Sequence, residues 1–238
     1  MGEQFTFKRY EIKYMLPKKN LSAFKKDMEE HMIVDMHGRS TILSLYYDTP
    51  DFRLIRKSLE HPVYKEKLRV RSYGLAKEDS QIFIELKKKY EGVVYKRRMA
   101  MSKREADRYL SCGENNKDSQ ISREIDYFLE YYKDLRPAVL LSYEREAFYE
   151  KDDHEFRVTF DDNILYRDYD LTLDSGIYGQ GILPYGKVLM EVKAGEAMPM
   201  WFVKLLTKYG LRQTSFSKYA TAYGNIYKEK INGGRKYA

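Results

Sequence analysis

The stretch YKEKLRVRSY at residues 64–73 determines the fold that we predict for this chain. Its residue types favour a strand, and successive side chains of a strand point to opposite faces. One face then carries four cations: Lys65, Lys67, Arg69 and Arg71. The opposite face carries Leu68 and Val70. The pattern predicts a strand with one basic face and one apolar face.

Five further runs repeat this separation of charged from apolar side chains. They are KRYEIKY at 8–14, QIFIELKKKY at 81–90, VYKRRM at 94–99, HEFRVTFD at 154–161 and KVLMEVK at 187–193. In any one strand, a charged face turned to water is the ordinary interpretation. Helices need an apolar surface to pack on, however, and if they cover all six apolar faces the charged faces point inward. An unpaired buried charge costs several kcal/mol, so that interior must be wet, paired with carboxylates or suited to an anion.

The pattern of residues predicts eight strands and five helices. The strands are expected at 5–16, 41–48, 64–73, 81–88, 93–99, 138–149, 155–161 and 188–193. The helices are expected at 17–32, 106–110, 119–132, 199–209 and 216–230, the second of them behind a Ser102-x-x-Glu105 capping box. This order predicts an α+β fold, with an eight-stranded antiparallel β-barrel, a charged interior and helices packed outside. We expect residues 1–238 to form one domain.

Composition limits the function classes. The chain has a net charge of +7, which fits either an anionic partner or ordinary surface charge. Cys112 is the only cysteine, so an internal disulfide or a cysteine-rich zinc site is excluded, and no HExxH spacing occurs among the four histidines. The sequence contains neither GxxxxGK[ST] nor GxGxxG, which argues against P-loop and Rossmann nucleotide sites. Without a signal-like or long apolar segment, we expect a cytoplasmic location.

Several segments together resemble a known family. They are FKRYEIKYML, SLYYDTPDFRLIRKSL, EKLRVRSYG, IFIELKKKYEGVVYKRR, LLSYEREAFY, FRVTFDDNI, VLMEVK and SFSKY, in this order over roughly residues 5–223. The set resembles the VTC polyphosphate-polymerase family of the triphosphate tunnel (CYTH-like) metalloenzyme superfamily. That resemblance implies an eight-stranded antiparallel tunnel with inward lysines, arginines and glutamates. Its implied partners are ATP and inorganic polyphosphate or pyrophosphate, with no specific nucleic acid. A membrane-protein partner is left open.

The resemblance also implies roles for individual residues. Catalytic contacts to phosphate are expected from Lys13, Arg69, Arg71, Lys87, Arg145 and Lys218. Substrate binding is expected from Lys67, Lys96, Arg98, Arg157, Lys193 and Ser217, with Arg145 and Arg157 deep in the sheet. A Mn²⁺ or Mg²⁺ ion is expected on Glu191 and Glu11. Ser217 also fits a simple helix N-cap, and Lys193 also fits an ion pair with Glu191.

One departure from the superfamily affects the expected reaction. The superfamily begins with Glu-x-Glu-x-Lys, whereas this chain has Arg9, Glu11 and Lys13 at those positions. Loss of the first carboxylate argues against a two-metal triphosphate hydrolase and favours transfer of the ATP γ-phosphoryl group to polyphosphate. A hydrolase or nucleotide cyclase of the same fold, and a non-catalytic polyphosphate or inositol-phosphate binding module, remain as alternatives. Glu11 and Glu85 are expected either to assist the metal or to pair with lysines.

Overall fold

The computed structural model describes residues 10–91, 93–114, 118–195 and 197–234, so Arg9 lies outside the described residues. Contacts between α-carbons divide the chain into two compact units. Unit 1 comprises the described residues of Met1–Thr41, Tyr143–Ile164 and Gly181–Phe216. Unit 2 comprises those of Ile42–Ser142, Leu165–Gln180 and Ser217–Ala238. A single domain over residues 1–238 stays a prediction.

The strands are numbered in chain order. They are β1 (Tyr10–Pro17), β2 (Met32–Asp48), β3 (Tyr64–Tyr73), β4 (Gln81–Tyr90), β5 (Val93–Ser102), β6 (Arg136–Glu150), β7 (Arg157–Arg167), β8 (Gln180–Gly181), β9 (Lys187–Ala194) and β10 (Gln213–Thr214). Each of the eight predicted strands has a counterpart here. The largest difference is in β2, which begins nine residues earlier than expected, at Met32 instead of residue 41. Its first part is mostly exposed and shows no alternation of apolar residues that could have marked it.

The helices are α1 (Leu21–Met28), α2 (Arg53–Leu59), α3 (Lys103–Cys112), α4 (Gln120–Tyr132), α5 (Met200–Lys208) and α6 (Lys218–Gly234), with a 3-10 turn at Lys18–Asn20. The predicted capping box of α3 is confirmed, because the Ser102 side chain accepts from the Glu105 backbone and the Glu105 side chain accepts from the Ser102 backbone. Three short elements have no counterpart among the predictions: α2, β8 and β10.

The sheet is large and antiparallel, which confirms an α+β fold. Hydrogen-bonded neighbours follow the order β10-β1-β9-β7-β6-β2-β3-β4-β5, with β8 beside β7. Over the residues that the structure describes, this order does not return to its first strand, so a closed barrel is not confirmed.

In unit 2, helices cover the apolar face of β3, β4 and β5. Leu68, Ile84 and Leu86 of these strands are fully buried in one cluster with Tyr109 of α3 and Ile125 of α4. Because side chains alternate along a strand, the cationic residues lie on the opposite face. The helix-covered apolar face predicted from the sequence is therefore confirmed for this unit.

Unit 1 repeats the same division. Leu16 of β1, Val158 of β7 and Met190 of β9 are buried with Phe24 of α1 and Phe202 of α5. The ring of Phe24 meets that of Phe202 edge to face, with centroids 6.0 Å apart. In this unit too, the helices occupy the apolar face and leave the charged residues of the strands on the other side.

Candidate functional site

The register of unit 2 aligns charged residues across three strands. Arg69 of β3 lies opposite Glu85 of β4, and Glu85 lies opposite Arg98 of β5. Residues directly opposite each other in an antiparallel pair have β-carbons about 4.5–5.5 Å apart, so their side chains interact. Glu85 is thus placed between two arginines by the backbone alone.

Glu85 is the centre of a cationic cluster. Its carboxylate oxygens lie 2.7 Å from Arg69 Nε, 2.7 Å from Arg98 Nε, 2.8 Å from Lys96 Nζ and 4.0 Å from Arg71 Nε. These five residues are called the Glu85 cluster below. Glu85 is only 1% exposed. Burial disfavours its charge, but the surrounding arginines and Lys96 outweigh that effect and hold the pKa of Glu85 well below its usual value.

Two side chains of β2 orient the arginines of β3. Arg69 Nη1 donates a hydrogen bond of 3.0 Å to the hydroxyl of Tyr46, and Arg71 Nε donates one of 3.4 Å to Ser44 Oγ. Burial favours the neutral hydroxyl of Tyr46, but the positive charges of Arg69, Lys67 and Arg71 predominate and lower its pKa to about 8. Tyr46 is therefore a buried side chain that also makes a polar contact with Arg69.

A row of lysines continues the cationic face. Lys67 lies opposite Lys87, which lies opposite Lys96, and Lys65 lies opposite Lys89. Desolvation and the nearby arginines lower the pKa of Lys96 to about 8, although Glu85 acts in the other direction. Desolvation and two neighbouring lysines also lower the pKa of Lys65. Burial and neighbouring cations thus both disfavour the charged form of these lysines, and a nearby anion would favour it.

The charged face of unit 1 has the opposite balance. Arg145 of β6 donates two hydrogen bonds to Asp161, of 2.5 and 2.6 Å, and a third of 2.9 Å to Glu191. Lys13 Nζ lies 3.8 Å from Glu191 and 3.4 Å from Glu11. These residues, Arg145, Asp161, Glu191, Lys13 and Glu11, are called the Arg145 cluster below. Although burial disfavours its charge, Asp161 and Glu191 raise the pKa of Arg145 well above its ordinary value.

The strand register of unit 1 explains these contacts. Glu191 of β9 lies opposite Lys13 of β1 on one side and opposite Thr159 of β7 on the other. Lys13 also donates a 2.8 Å hydrogen bond to the carbonyl oxygen of Phe216. Glu191 is therefore held in the middle of three strands by neighbours on both sides.

The Arg145 cluster contains the two carboxylates expected to hold Mn²⁺ or Mg²⁺, Glu11 and Glu191. Within the described ranges, no group of three or more His, Cys, Asp and Glu side chains is arranged to hold a metal. Glu11 and Glu191 nevertheless approach one cation together, the ammonium of Lys13. Thr159, which lies opposite Glu191, has a buried Oγ1 with no hydrogen-bond partner among the described residues. Mg²⁺ is usually bound by one or two carboxylates plus waters and substrate phosphates, so this donor set fits such an ion.

The remaining predicted residues lie in four different settings. Arg157 is half exposed at the start of β7 and pairs with Asp35 at 3.2 Å, so its expected place deep in the sheet is wrong. It begins the strand, where fewer neighbours cover it. Lys193 lies opposite both Glu11 and Arg157 in the strand register. Ser217 caps α6, since the Ala220 amide donates to Ser217 Oγ at 3.3 Å. Lys218 is the first residue of α6.

A sequence model of the VTC domain family matches residues 8–227. The chain belongs to the VTC domain family. A search among curated proteins finds no match to it.

Solved structures show the same fold as this VTC domain at low sequence identity. A proposed adenylate cyclase from Bacillus halodurans is 14% identical with a TM-score of 0.55, over 87% of this chain and 92% of that one. A proposed adenylyl cyclase from Hippeastrum, for which a dominant triphosphatase activity is described, is 16% identical with a TM-score of 0.55, over 90% and 95%. A third, from Vibrio parahaemolyticus, is 14% identical with a TM-score of 0.50, over 92% and 98%.

Membership of the VTC domain family supports an enzyme that acts on phosphates. Within the described part of this VTC domain, no helix combines the length and apolarity needed to cross a bilayer. Two central residues of the clusters were not among the predicted site residues. Asp161 was recognised only as a member of a charged strand face, and Glu85 was left between a metal role and lysine pairing. The charged faces were readable from the sequence, but the partners of these carboxylates depend on the register.

Proposed function

We propose that this VTC domain is a cytoplasmic, metal-dependent polyphosphate polymerase that transfers the γ-phosphoryl group of ATP to a growing polyphosphate chain and releases ADP. The observation that carries the proposal is the charge surplus of the Glu85 cluster. Four cationic side chains lie within 4.0 Å of its single carboxylate among the described residues. A phosphate chain supplies the negative charge that this surplus favours. The closed eight-stranded tunnel expected from the sequence is part of the proposal.

The chemistry of the side chains suits a phosphate chain. Arginine presents a planar fork that binds two phosphate oxygens at once, while lysine acts as a compact point charge. In this proposal Arg69, Arg71 and Arg98 bind phosphate oxygens, and the row of Lys67, Lys87 and Lys96 extends the same surface. Phosphoryl transfer depends on positioning and charge neutralisation more than on a protein nucleophile, so these residues have the properties that it requires.

The Arg145 cluster supplies the complementary role. Glu191 and Glu11 would hold Mn²⁺ or Mg²⁺, and such an ion, when bound, neutralises charge on phosphate oxygens. Arg145 holds Asp161 and Glu191 in place through hydrogen bonds, and Lys13 balances Glu191 and Glu11.

Ser217 and Lys218 offer a helix N-terminus with a neighbouring cation, a combination that attracts phosphate. Arg157 and Lys193 would contribute only peripheral attraction.

Hydrolysis of triphosphate is the second candidate. The triphosphatase activity of the Hippeastrum protein, which has a similar fold, favours it. The Arg9 position argues against it, because a carboxylate of the superfamily motif is replaced there by a cation. A module that binds polyphosphate without catalysis is the third candidate, and the experiment must distinguish it from both enzymes.

The test is incubation of the purified protein with ATP and Mn²⁺, with polyphosphate, ADP and free phosphate measured in parallel. We expect a polyphosphate ladder with ADP, lost in Arg69→Ala, Lys13→Ala and Glu191→Gln while these proteins stay folded. Arg97→Ala is the matched control, because Arg97 is the neighbour of Arg98 in β5 but pairs with Glu124 of α4, on the helix-covered face.

The outcomes separate the candidates. Free phosphate without polymer would replace the polymerase with the hydrolase. Salt-sensitive binding of added polyphosphate without turnover would leave a binding module. Equal loss of activity in Arg97→Ala and Arg98→Ala would contradict the assignment of the cationic face, because only Arg98 belongs to it.

A further inference from the structure

Tyr46 joins two of the proposed phosphate-binding elements of unit 2. Its ring stacks on that of Tyr219 in α6, with centroids 4.5 Å apart and planes at 17°. Its hydroxyl accepts the 3.0 Å hydrogen bond from Arg69 Nη1. The side chain is 5% exposed, so both contacts form in a desolvated setting where a hydrogen bond to a charged group is strong.

Tyr219 is itself held in place by a hydrogen bond to Asp48, the last residue of β2. Its hydroxyl donates a 2.7 Å hydrogen bond to Asp48 Oδ2. The same carboxylate accepts the backbone amides of Leu54 at 2.9 Å and Ile55 at 3.0 Å, which belong to the first turn of α2. Tyr219 directly follows Lys218 in the chain. The stack therefore connects the start of α6 to Arg69 through Tyr46.

We infer that Tyr46 is a positioning residue for phosphate binding: its hydroxyl fixes the guanidinium of Arg69, and its ring fixes the first turn of α6 that carries Lys218. This inference rests on the proposed function, because it assumes that Arg69 binds phosphate. Removal of the hydroxyl leaves the ring stack and the Arg69–Glu85 bond in place but removes the hydrogen bond at Arg69 Nη1. The guanidinium is then less firmly oriented, so phosphate affinity falls although the fold is kept.

The charges around Tyr46 give this role a distinctive pH dependence. Arg69, Lys67 and Arg71 face it from β3, and the Tyr219 hydroxyl faces it from α6 with Asp48 behind. The cations lower the pKa of Tyr46 to about 8. Below that pH the neutral hydroxyl of Tyr46 orients Arg69. Above it the phenolate still binds Arg69, but its negative charge cancels one positive charge and weakens the binding of an anion. A bound polyphosphate neutralises the cations and raises the pKa of Tyr46 again.

Tyr46→Phe tests the inference, and Tyr47→Phe is its matched control. Tyr47 is the next residue of β2 and lies in the apolar cluster on the other face, where burial raises its pKa. In phenolate absorbance titrations we expect one tyrosine to ionise near pH 8 in the wild type and in Tyr47→Phe, but not in Tyr46→Phe. Tripolyphosphate should suppress that ionisation.

Calorimetric binding of tripolyphosphate gives the second readout. At pH about 7, we expect Tyr46→Phe to bind about 3- to 10-fold more weakly than the wild type, the range for loss of one hydrogen bond. At pH about 9 the difference should shrink, because the wild type then carries the phenolate. Lys96 also titrates near pH 8, but it is common to both proteins and cancels in the comparison.

Arg69→Ala separates failure of this inference from failure of the proposed function. If Arg69→Ala loses tripolyphosphate binding while Tyr46→Phe binds as the wild type does at both pH values, Tyr46 has no positioning role and the inference is overturned. If Arg69→Ala also binds normally, the phosphate-binding assignment of the Glu85 cluster fails, and the inference fails with it. A Tyr46→Phe protein that is weaker by the same factor at both pH values would also overturn it.

Discussion

The Glu85 cluster and the Arg145 cluster use the same residue types in opposite proportions. The first has one carboxylate among four cations, Arg69, Arg71, Lys96 and Arg98. The second has three carboxylates, Glu11, Asp161 and Glu191, with two cations, Arg145 and Lys13. Both lie on strand faces opposite their unit's helices.

The two clusters differ in the sign of the charge that predominates among their side chains. Among its own five members, the Glu85 cluster has four positive charges and one negative charge, and such a concentration of cations attracts an anion. Among its own five members, the Arg145 cluster has three negative charges and two positive charges, and within the described part of the chain the nearby hydroxyl of Thr159 has no hydrogen-bond partner; both features suit a cation. The metal-dependent reaction of a polyanion that we propose would need both kinds of site, and this division of charge is the reason for proposing a different role for each cluster.

The comparison predicts its largest effect at Arg145. Arg145→Met leaves Asp161, which is 0% exposed, and Glu191 without their shared cation, and breaking a buried ion pair in this way costs about 3–5 kcal/mol. We expect that loss in the free energy of unfolding measured with urea. Arg39→Met is the control, because Arg39 pairs with Asp162 in the same unit but is half exposed, and its loss should cost less than about 1 kcal/mol. Equal effects would show that Arg145 is not specially buried.

The second effect is expected at Glu85. Glu85→Gln removes the only carboxylate of its cluster and should lower the free energy of unfolding by about 1.5–3 kcal/mol at neutral pH. Because the folded pKa is depressed, this stabilisation is present above the unfolded pKa of about 4.3 and is lost as the pH falls below it. Unfolding of the variant should therefore depend less on pH in the acid range.

Tripolyphosphate sharpens that prediction. It should raise the melting temperature of Glu85→Gln more than that of the wild type, because more positive charge is left uncompensated. A smaller rise in the variant would mean that Glu85 is needed to orient the arginines and that charge surplus alone does not bind the anion.

A smaller effect is expected at Thr159. Thr159→Val removes a buried hydroxyl for which the described residues offer no hydrogen-bond partner, so the metal-free protein should gain up to about 1 kcal/mol in stability. If that hydroxyl belongs to the metal site, the stabilisation by added Mn²⁺ should decrease in the same variant. Thermal unfolding with and without Mn²⁺ measures both changes. An unchanged Mn²⁺ response would remove Thr159 from the site.

The smallest effect is expected at Arg157. Arg157→Ala removes an exposed ion pair with Asp35, worth less than about 1 kcal/mol. Its tripolyphosphate affinity should stay near that of the wild type, whereas Arg98→Ala should weaken binding clearly. Calorimetry of both variants at one salt concentration makes the comparison, and a strong loss in Arg157→Ala would return that residue to the binding surface.

The sequence predicted the strand faces well because alternation along a strand is a local property. The bounds of β3 agree with the prediction at both ends. Contacts between strands are not local, and Glu85 meets Arg69 and Arg98 only because of the register of β3, β4 and β5. The prediction also missed α2, a seven-residue helix whose first amides are capped by Asp48, several residues earlier in the chain. Two-residue strands such as β8 and β10 are too short to show any period.

The hydrogen bond between Tyr219 and Asp48 has a consequence for folding during synthesis. These two residues are 171 positions apart, and Lys13 and Phe216 are 203 apart. The ribosome therefore releases β1 to β9 before Phe216 and Tyr219 exist to complete either face. We expect nascent chains that end before α6 to expose the ring of Tyr46, which then lacks its stacking partner Tyr219, and Arg69 beside it. In such chains the basic face of β3 has been synthesised but lacks its contacts with α6. We expect polyanions and chaperones to reach that face most easily before α6 is made.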